Sequence, residues 1–510
     1  MDCGILKADF EEKGGADMEI INVFVDFLRV LWDAILQNIT FINLLFCIAI
    51  VFFERKSPKS VWAWLLLLYF VPVVGFIFYL FLGADMKKRK MFRIKEVEDH
   101  ISEAIRRQEH QLKSLDVEEF DTNLSNYTDL VMYNLRTCGA VITGDNDVEI
   151  LMDGNDKFER LLEDIRRAEQ FIHIQYYIIK NDVLFERIHH ELVQKAAEGV
   201  EVRILFDSMG CRTVPHNYWK KLNAEGIKTA EFFPAFFRRL QMRINYRNHR
   251  KIVIIDNRVG YVGGFNIGKE YIGLDDKFGY WRDTHLRIQG SGILSLHLRF
   301  LLDWNYASKE NLFGQRKYFE KVYPGKKDNC LMQIISSGPD TTRQLIHDNY
   351  LRLITKAKER IYIQSPYFIP DESVMDALMI AVHSGVEVNI MIPCKPDHPF
   401  VYWATYSYIG DLVMAGARCY TYDNGFLHAK GICVDGKVFC CGTANMDIRS
   451  FALNFEVNAI IYNEKKAGEM EEGFLKDLQF CTRITRNMYA GRKLWIRLKE
   501  QVCRLMSPVL

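Results

Sequence analysis

The stretch NHRKIVIIDNRVGYVGGFN at positions 248–266 decides the fold, because LHAKGICVDGKVFCCGTAN at positions 427–445 repeats its pattern. Five residue types recur at identical intervals: His249 and His428, Lys251 and Lys430, Asp256 and Asp435, Gly263 and Gly442, and Asn266 and Asn445. Since one fixed position matches by chance about once in twenty times, five matches are a coincidence of about one in a million or rarer. A lone His-x-Lys is usually an accident, whereas two copies indicate a functional motif that is used twice.

The repeat extends upstream of both motifs. AEQFIHIQYYI around Gln175 resembles KERIYIQSPYFI around Gln364, and AAEGVEVRILFD around Gly199 resembles AVHSGVEVNIMIP around Gly385. In each half an apolar helix pattern alternates with β-branched runs, which is typical of α/β units on a largely buried sheet. The sequence therefore predicts two duplicated lobes, each a mixed β-sheet flanked by helices. We place lobe one at 141–325 and lobe two at 326–510.

Each motif brings a base and a cation together. Side chains alternate across a strand, so His249 and Lys251 share one face, as do His428 and Lys430. If the lobes meet, the two lysines and the two motif asparagines can surround the oxygens of one phosphodiester. One imidazole can then attack phosphorus to give a phosphohistidine, while the other gives its proton to the departing alcohol and later deprotonates the acceptor. The residues alone leave open which histidine attacks.

Two carboxylates are candidates to support the histidines. Asp283 in YWRDTHL follows His249 and Glu456 in NFEVNA follows His428, each in a strand-like context where the carboxylate can fix the tautomer of its own histidine. The alternative for both is a solvated strand carboxylate. Asp256 and Asp435 belong to the candidate catalytic motif by their spacing. Their turns, Asp-Asn and Asp-Gly, favour a structural role.

The composition excludes several classes of site. The formal net charge of +1 lacks the basic excess that nucleic-acid binding requires. The twelve cysteines include no CxxC pair, and no acidic or histidine cluster has the spacing of metal ligands. We therefore expect reduced thiols, no metal, no cofactor and no nucleic-acid partner.

The N-terminal part predicts a membrane anchor over 1–90. The uncharged stretch from Ser60 to Gly83 is long enough for a transmembrane helix, and Ile39 to Phe53 is a second apolar run. An amphipathic pattern over 21–37 precedes them, either an interfacial helix or an ordinary packing helix. The basic cluster at 87–95 places the following domain on the cytoplasmic side, although the basic loop at 55–59 keeps a re-entrant hairpin open. Residues 91–140 are expected to form a helical linker.

These motifs resemble the phospholipase D superfamily and, more narrowly, its bacterial cardiolipin synthase family over essentially the whole chain. The narrower resemblance rests on flanking blocks such as QSPYFIPD, CKPDHPFVYWAT and GTANMDIRSFALNFEVN. It implies transfer of a phosphatidyl group from one phosphatidylglycerol to another at the cell membrane, with release of glycerol. It also implies that His249 is the nucleophile and His428 the general acid and base. A phosphatidyl hydrolase, or a transferase with another acceptor, would use the same residues.

In both motifs the chain departs from the superfamily's usual residues after the first glycine. The superfamily often has Gly-Ser where this chain has Gly263-Gly264 and Gly442-Thr443, so a hydroxyl contact to phosphate is not expected from Gly264 in lobe one. Gly264 and Thr443 are nevertheless expected beside the phosphate. His398 resembles the family as well, but its spacing assigns it no role.

Two further segments are candidates for contact with lipid. EFFPAFFRRLQMRINYR at 231–247 joins phenylalanines to arginines, which suits insertion into an anionic membrane surface or, alternatively, a buried aromatic cluster. The tail at 492–506 has an amphipathic pattern that predicts either an interfacial helix or a cap on lobe two. The sequence does not indicate an oligomeric state.

Overall fold

The computed structural model describes residues 26, 29–52, 58–79, 108, 122–233, 246–320, 329–341, 343–395 and 397–507. The chain divides into two compact units. One comprises Met1–Lys87 with Leu240–Ile244, and the other comprises Lys88–Arg239 with Asn245–Leu510.

The N-terminal unit is helical: α1 Arg29–Gln37, α2 Ile39–Phe52, α3 Pro58–Phe70 and α4 Pro72–Phe78. The apolar stretch predicted as one span is divided at Val71, because Pro72 has no N–H to continue the hydrogen bonds of α3. The buried Asn43 on α2 donates to Leu68 O at 3.1 Å and Pro72 O at 3.0 Å, which holds the three helices together at this break.

No single helix in the described part of this unit is long and apolar enough to cross a membrane. Helices α1 and α2, which meet at 70°, satisfy the length and composition requirements only as a bent pair. The basic cluster at 87–95 that is predicted to set the orientation lies outside the described residues.

The second unit contains both lobes. The strands of lobe one are β1 Thr143–Leu151, β2 Phe171–Tyr176, β3 Glu201–Asp207, β4 Ile227–Phe232, β5 Arg247–Asn248, β6 Ile252–Ile255, β7 Val259–Gly263, β8 Trp281–Arg282 and β9 His285–Gln289. The strands of lobe two are β10 Cys330–Ser337, β11 Arg360–Gln364, β12 Phe368–Ile369, β13 Glu387–Pro393, β14 Arg418–Tyr422, β15 Phe426–Leu427, β16 Gly431–Val434, β17 Val438–Gly442, β18 Met446–Asp447, β19 Asn454–Tyr462 and β20 Cys481–Ile484.

Helices cover both faces of these strands. They are α5 Thr122–Ser125, α6 Thr128–Cys138, α7 Gly154–Arg166, α8 Val183–Ala197, α9 His216–Ala224, α10 Gly292–Ser308, α11 Leu345–Lys356, α12 Glu372–His383, α13 Pro399–Ala415, α14 Ile448–Ala452, α15 Glu464–Asp477, α16 Arg486–Ala490 and α17 Leu494–Leu505. Short 3₁₀ turns occupy Lys269–Ile272, Arg316–Phe319 and Leu478–Phe480. Because both faces are covered, every residue of β2 is buried, including the polar His173 and Gln175, as expected for a strand of a largely buried sheet.

The sheet order shows the duplication directly. From its centre outward, lobe one reads β1-β9-β7-β6-β2-β3-β4 and lobe two reads β10-β19-β17-β16-β11-β13-β14, with β20 added at the edge. In both lobes the last three strands of this series are parallel and the others antiparallel. The predicted pair of mixed, helix-flanked lobes is confirmed. The antiparallel pair β1 and β10 joins them into one sheet. With β5, which pairs with β19 beside this series, the sheet has sixteen strands in the described part of the chain.

Helix α6, which lies within the segment expected to be a linker, packs into lobe two. Its buried Leu130 and Val131 share one apolar core with Leu353 of α11. Its Asn134 side chain donates to Asn349 Oδ1 at 2.9 Å, inside the same core. The C-terminal part of that segment is therefore a structural element of lobe two.

The motif aspartates close the turn at the far end of their strands. The Asp256 carboxylate accepts backbone N–H groups from Glu169, Gln170 and Phe171 at 2.7–2.9 Å. The Asp435 carboxylate accepts those of Lys358, Glu359 and Arg360, each at 2.9 Å. Both aspartates have positive φ, 53° and 54°. They therefore fix the start of β2 and of β11 against the motif strands.

We expect Asp435→Ala to lower the free energy of unfolding by about 2–3 kcal/mol, because three N–H groups lose the buried carboxylate that accepts their hydrogen bonds. Asp435→Asn should cost less, since its amide oxygen still accepts. Thermal unfolding followed by tryptophan fluorescence measures the change, with the exposed Asp276→Ala as the control. Equal unfolding midpoints for Asp435→Ala and Asp276→Ala would contradict this role.

Candidate functional site

Two short pairs of parallel strands, each made of one strand from each lobe, position the histidines. Strand β5, directly before His249, pairs with the start of β19, and β15, directly before His428, pairs with β8. As a result the His249 N–H donates to Phe455 O at 2.9 Å and the His428 N–H donates to Arg282 O at 2.7 Å. The backbone N–H of each histidine is therefore hydrogen-bonded to the residue that precedes a carboxylate of the other lobe, Glu456 or Asp283.

As a consequence, the imidazole of each lobe pairs with a carboxylate of the other lobe. His249 Nδ1 lies 3.0 Å from the Glu456 carboxylate, and His428 Nδ1 lies 2.6 Å from Asp283 Oδ2. The position of each carboxylate downstream of a histidine in the same lobe suggested the opposite pairing, and that expectation is wrong. Both carboxylates are fully buried, so the solvated alternative is also excluded. With Nδ1 occupied, Nε2 is the ring nitrogen left for chemistry.

The motif lysines lie beside the histidines, as predicted, although residues 249–251 and 428–430 lie between strands and not within them. Lys251 Nζ donates to His249 O at 2.8 Å, and Lys430 Nζ lies 2.9 Å from His428 Nδ1 and bonds to His428 O. Both lysines are buried. Lys430 Nζ is 3.8 Å from Asp283 Oδ2, which partly balances its charge.

The two glycine turns differ in a way that matches their carboxylates. Thr443 Oγ1 donates to Glu456 Oε2 at 2.6 Å and so holds the carboxylate that faces His249. At the equivalent Gly264, a Cβ atom would lie 1.9 Å from Asp283 Oδ1. The glycine is required because the shorter Asp283 occupies the space of its side chain. The hydroxyl of Thr443 is committed to Glu456, and neither turn places a hydroxyl in the expected phosphate position.

The two motif asparagines are both buried but have different partners. Asn266 accepts the Ile178 N–H at 3.1 Å and donates to the Tyr271 hydroxyl at 3.0 Å. Asn445 Oδ1 has no hydrogen-bond partner within the protein. Asn266 is therefore committed to the local structure, whereas the Asn445 oxygen is available.

The structure separates two of the candidate catalytic residues from the others. Asp256 and Asp435 lie beyond the far ends of β6 and β16, five residues after the motif lysines. At about 3.3 Å per residue, that places them roughly 16 Å from the lysines. Their carboxylates bond to backbone N–H groups, so their inclusion in the candidate catalytic set is corrected to a structural role.

Burial sets the charge state of the histidines and lysines. It lowers the pKa of both histidines, to about 4 for His428, where the Lys430 charge adds to the effect. It lowers the pKa of Lys251 to about 7 and also lowers the pKa of Lys430. Without a bound anion the imidazoles are therefore neutral at pH 7. A bound anion would raise the pKa of all four groups.

The two carboxylates, unlike the histidines, are charged at pH 7. Burial by itself raises the pKa of Glu456 and of Asp283, but the neighbouring histidine and lysine charges outweigh burial and hold both pKa values below their ordinary range. Both groups therefore remain ionised, ready to stabilise an imidazolium. Elsewhere in the described residues, as here, no three His, Cys, Asp or Glu side chains are grouped so that they could hold a metal ion.

The comparison with known proteins agrees with this geometry. The family model described as cardiolipin synthase, PLD-like domain matches residues 161–278 and again 350–478. The model described as phospholipase D-nuclease N-terminal matches residues 41–83. A cardiolipin synthase of Bacillus subtilis is 49% identical over 485 residues, which cover 94% of this chain and 99% of the relative. The chain belongs to the cardiolipin synthase family.

A second member, the cardiolipin synthase of Oceanobacillus iheyensis, is 48% identical over 482 residues, with 94% of this chain and 99% of the relative covered. Among solved structures, phosphatidylserine synthase from Haemophilus influenzae is similar with a TM-score of 0.54 at 14% identity. That likeness covers 71% of this chain and 95% of the other. At this identity it shows that the two proteins share a fold.

The sequence of this cardiolipin synthase family member did not reveal the buried arginine–aspartate ion pair that lies near each histidine. In lobe one, Gln175 Nε2 and the Arg250 guanidinium both donate to Asp303, at 2.7 Å. All three side chains are almost fully buried. They fix the strand that carries His249.

A second network has the same three residue types but joins the two lobes, because its arginine comes from lobe one and its glutamine and aspartate from lobe two. Gln364 Nε2 donates to Asp477 at 2.8 Å, and Arg282 donates to the same carboxylate at 2.9 and 3.0 Å. Arg282 precedes Asp283, whereas the arginine of the first network follows His249. The repeat had marked both glutamines as equivalent, but it could not identify the arginines because they occupy non-equivalent positions.

Removing the Glu456 charge should lower the pKa of His249 further, since that carboxylate is the main group raising it. Glu456→Gln keeps the shape and removes the charge, so at pH 5–7 less His249 is protonated. The pH dependence of His249 carbethoxylation, followed by peptide mass spectrometry, measures this change. Glu472→Gln, on the exposed face of α15, is the matched control. A higher or unchanged pKa of His249 would rule out this coupling.

Proposed function

We propose that the protein is a cardiolipin synthase that transfers a phosphatidyl group from one phosphatidylglycerol to another, giving cardiolipin and glycerol. The observation that carries the proposal is the pair of buried histidines, each held through Nδ1 by a carboxylate of the other lobe. Family membership supports the substrate, because the curated relatives are cardiolipin synthases along nearly their whole length.

In the first half-reaction, His249 Nε2 attacks the phosphorus of the donor and the bond from phosphorus to the glycerol oxygen breaks. His428 donates its Nε2 proton to that oxygen, and glycerol leaves. Glu456 stabilises the charge that develops on the His249 ring. The assignment of His249 as the nucleophile comes from the resemblance to the superfamily. Lys251 and Lys430 balance the charge of the non-bridging oxygens, and Asn445 Oδ1, which has no partner among the described residues, is available to accept a hydrogen bond from the headgroup.

In the second half-reaction, the neutral His428 takes the proton of a headgroup hydroxyl from a second phosphatidylglycerol. The resulting oxygen attacks the phosphorus, the bond to His249 breaks, and cardiolipin forms. Asp283 holds the His428 ring through both steps and stabilises its protonated form. Atoms and charges balance without a further reactant. Water in place of the second lipid would give phosphatidic acid.

Purified full-length protein incubated with phosphatidylglycerol should produce cardiolipin and glycerol in equal amounts by mass spectrometry. His249→Asn should reduce the rate by at least about 10³-fold, because the nucleophile is lost. It should also abolish the covalent phosphatidyl-enzyme, whereas His428→Asn should allow that adduct to accumulate from a donor with a good leaving group. Phosphatidic acid as the main product would indicate a hydrolase. An adduct on His428 in the His249 variant would reverse the two roles.

We also propose that the catalytic unit works against the cytoplasmic face of an anionic membrane, with the N-terminal helices as its anchor. Helix α17 supports contact with such a surface. Leu494, Trp495 and Leu498 are 81%, 67% and 49% exposed, and Val502 and Leu505 extend the same apolar stripe. Arg497 and Lys499 lie among them and suit anionic headgroups. The helix also packs on α13 through Cys503, so it both caps lobe two and exposes an apolar face.

The other candidate for lipid contact is only partly described. Phe232 and Phe233 are buried, and their rings pack against Phe455 at 5.5 and 5.8 Å. For these two residues the alternative of a buried aromatic cluster is confirmed. Phe236, Phe237 and the arginines that follow lie outside the described residues.

The double variant Trp495→Ser, Leu498→Ser should lose severalfold activity on phosphatidylglycerol vesicles, because less of the helix enters the interface. Activity on detergent-dispersed lipid should change little. Ile380→Ser, at an isolated exposed apolar residue on α12, is the control. Equal loss in both assays would reject membrane contact. A changed oligomeric state would assign the face to a second copy of the chain instead.

A further inference from the structure

A cleft opens beside the second motif, at the carboxyl ends of the parallel strands β11 and β13. About 210 Å³ of space, part of it open solvent, lies among its lining residues, which are Pro366, Tyr367, Pro393, Lys395, Asp397, Tyr402 and Thr405. The crevice at the carboxyl ends of parallel strands is the usual place for a ligand in an open α/β sheet.

The strand that leads into the cleft is paired with the strand that follows the second motif lysine. Gln364, the last residue of β11, is paired with Gly431, which directly follows Lys430. The chain then runs through Ser365 into the cleft wall at Pro366 and Tyr367. The Asp397 charge acts on the Lys430 ammonium and raises its pKa, which agrees with this proximity. The cleft therefore lies on the side of the site that contains His428.

Its polar groups suit hydroxyl groups. The Tyr367 hydroxyl donates to the Asp397 carboxylate, whose other oxygen accepts the His398 N–H at 2.7 Å. A carboxylate has about four acceptor positions, so it can take further hydroxyl protons. Lys395 adds a cationic donor on the same wall. Vicinal hydroxyls of a polyol can pair with such a set, whereas a plain alkyl chain cannot.

At the equivalent place in lobe one a turn is closely packed. There Tyr177 follows β2, and a turn after β3 packs onto it so tightly that a Cβ at Gly210 would lie 1.9 Å from Tyr177 O. Cys211 Sγ accepts the Ile179 N–H at 3.1 Å and completes this contact. The Tyr177 ring then stacks edge-on to His249 at 4.9 Å. The cleft is thus a feature in which lobe two has diverged from its duplicate.

We propose that this cleft binds the glycerol headgroup of the acceptor phosphatidylglycerol and orients its hydroxyl toward His428. The inference rests on the proposed function. His428 meets a glycerol oxygen in both half-reactions, first on the departing glycerol and then on the incoming headgroup. One polyol subsite beside His428 serves both events, and it favours a glycerol over water or a simple alcohol.

Acceptor selectivity tests the cleft separately from the chemistry. The full-length enzyme is given phosphatidyl-p-nitrophenol, whose leaving group needs no proton, so release of nitrophenolate measures formation of the phosphatidyl-enzyme. Glycerol and 1-propanol are then offered as competing acceptors, and the products are quantified by mass spectrometry. Asp397→Ala should lower the preference for glycerol over propanol about tenfold, the effect of losing about one hydrogen-bonding partner. In Tyr367→Phe, which keeps the Asp397 charge that acts on Lys430, nitrophenolate release should change little.

Tyr367→Phe retains the ring and removes only its hydroxyl, so it provides a second variant with a smaller expected loss of preference. Asp376→Ala, exposed on α12, is the control. Unchanged glycerol preference in Tyr367→Phe and Asp397→Ala with normal nitrophenolate release would overturn the inference. If Asp397→Ala does not fold, Tyr367→Phe alone decides. Absence of any transfer by the unaltered enzyme would instead refute the proposed function.

Discussion

The exchanged pairing of imidazoles and carboxylates is the interaction on which the rest of the site depends. Neither lobe contains a complete site, because His249 takes its carboxylate from β19 and His428 takes its own from the turn between β8 and β9. The pairing requires the strands next to each histidine to enter the other lobe's sheet in fixed register. It also explains why the lobes form one continuous sheet through β1 and β10. Relative motion of the lobes would break both pairs at once.

A second constraint is electrostatic. Two lysines, two histidines and two carboxylates are buried together, and such charges are costly unless each has a partner of opposite sign. The ionised carboxylates supply that balance only in part, because burial still lowers the pKa of the histidines and lysines. An anionic phosphodiester supplies the remainder. In the proposed reaction, substrate binding itself therefore raises the pKa of the groups that hold the transferred phosphate and donate the proton.

The duplicated lobes keep the same chemical groups but differ around them. Thr443 holds Glu456 by a hydroxyl, whereas Gly264 leaves room for Asp283. The arginine of the supporting network comes from the histidine strand in one case and from the carboxylate strand in the other. Beside Lys430 the sheet edge is open, while beside Tyr177 it is filled. Such differences are expected in the proposed reaction, in which the two equivalent histidines perform different steps.

The sequence by itself determined the duplication, the mixed α/β lobes and the identity of the histidines, lysines and supporting carboxylates, because residue type and spacing are local properties of the chain. The tertiary structure decided which carboxylate serves which histidine and where the motif aspartates act. It also decided that helix α6 belongs to lobe two. Those outcomes depend on contacts such as His249 with Glu456 and Asp256 with Phe171 N–H, whose partners lie far apart in the chain. Pairings of that kind are set by strand register and by the meeting of the two lobes, and the spacing within one motif carries no information about either.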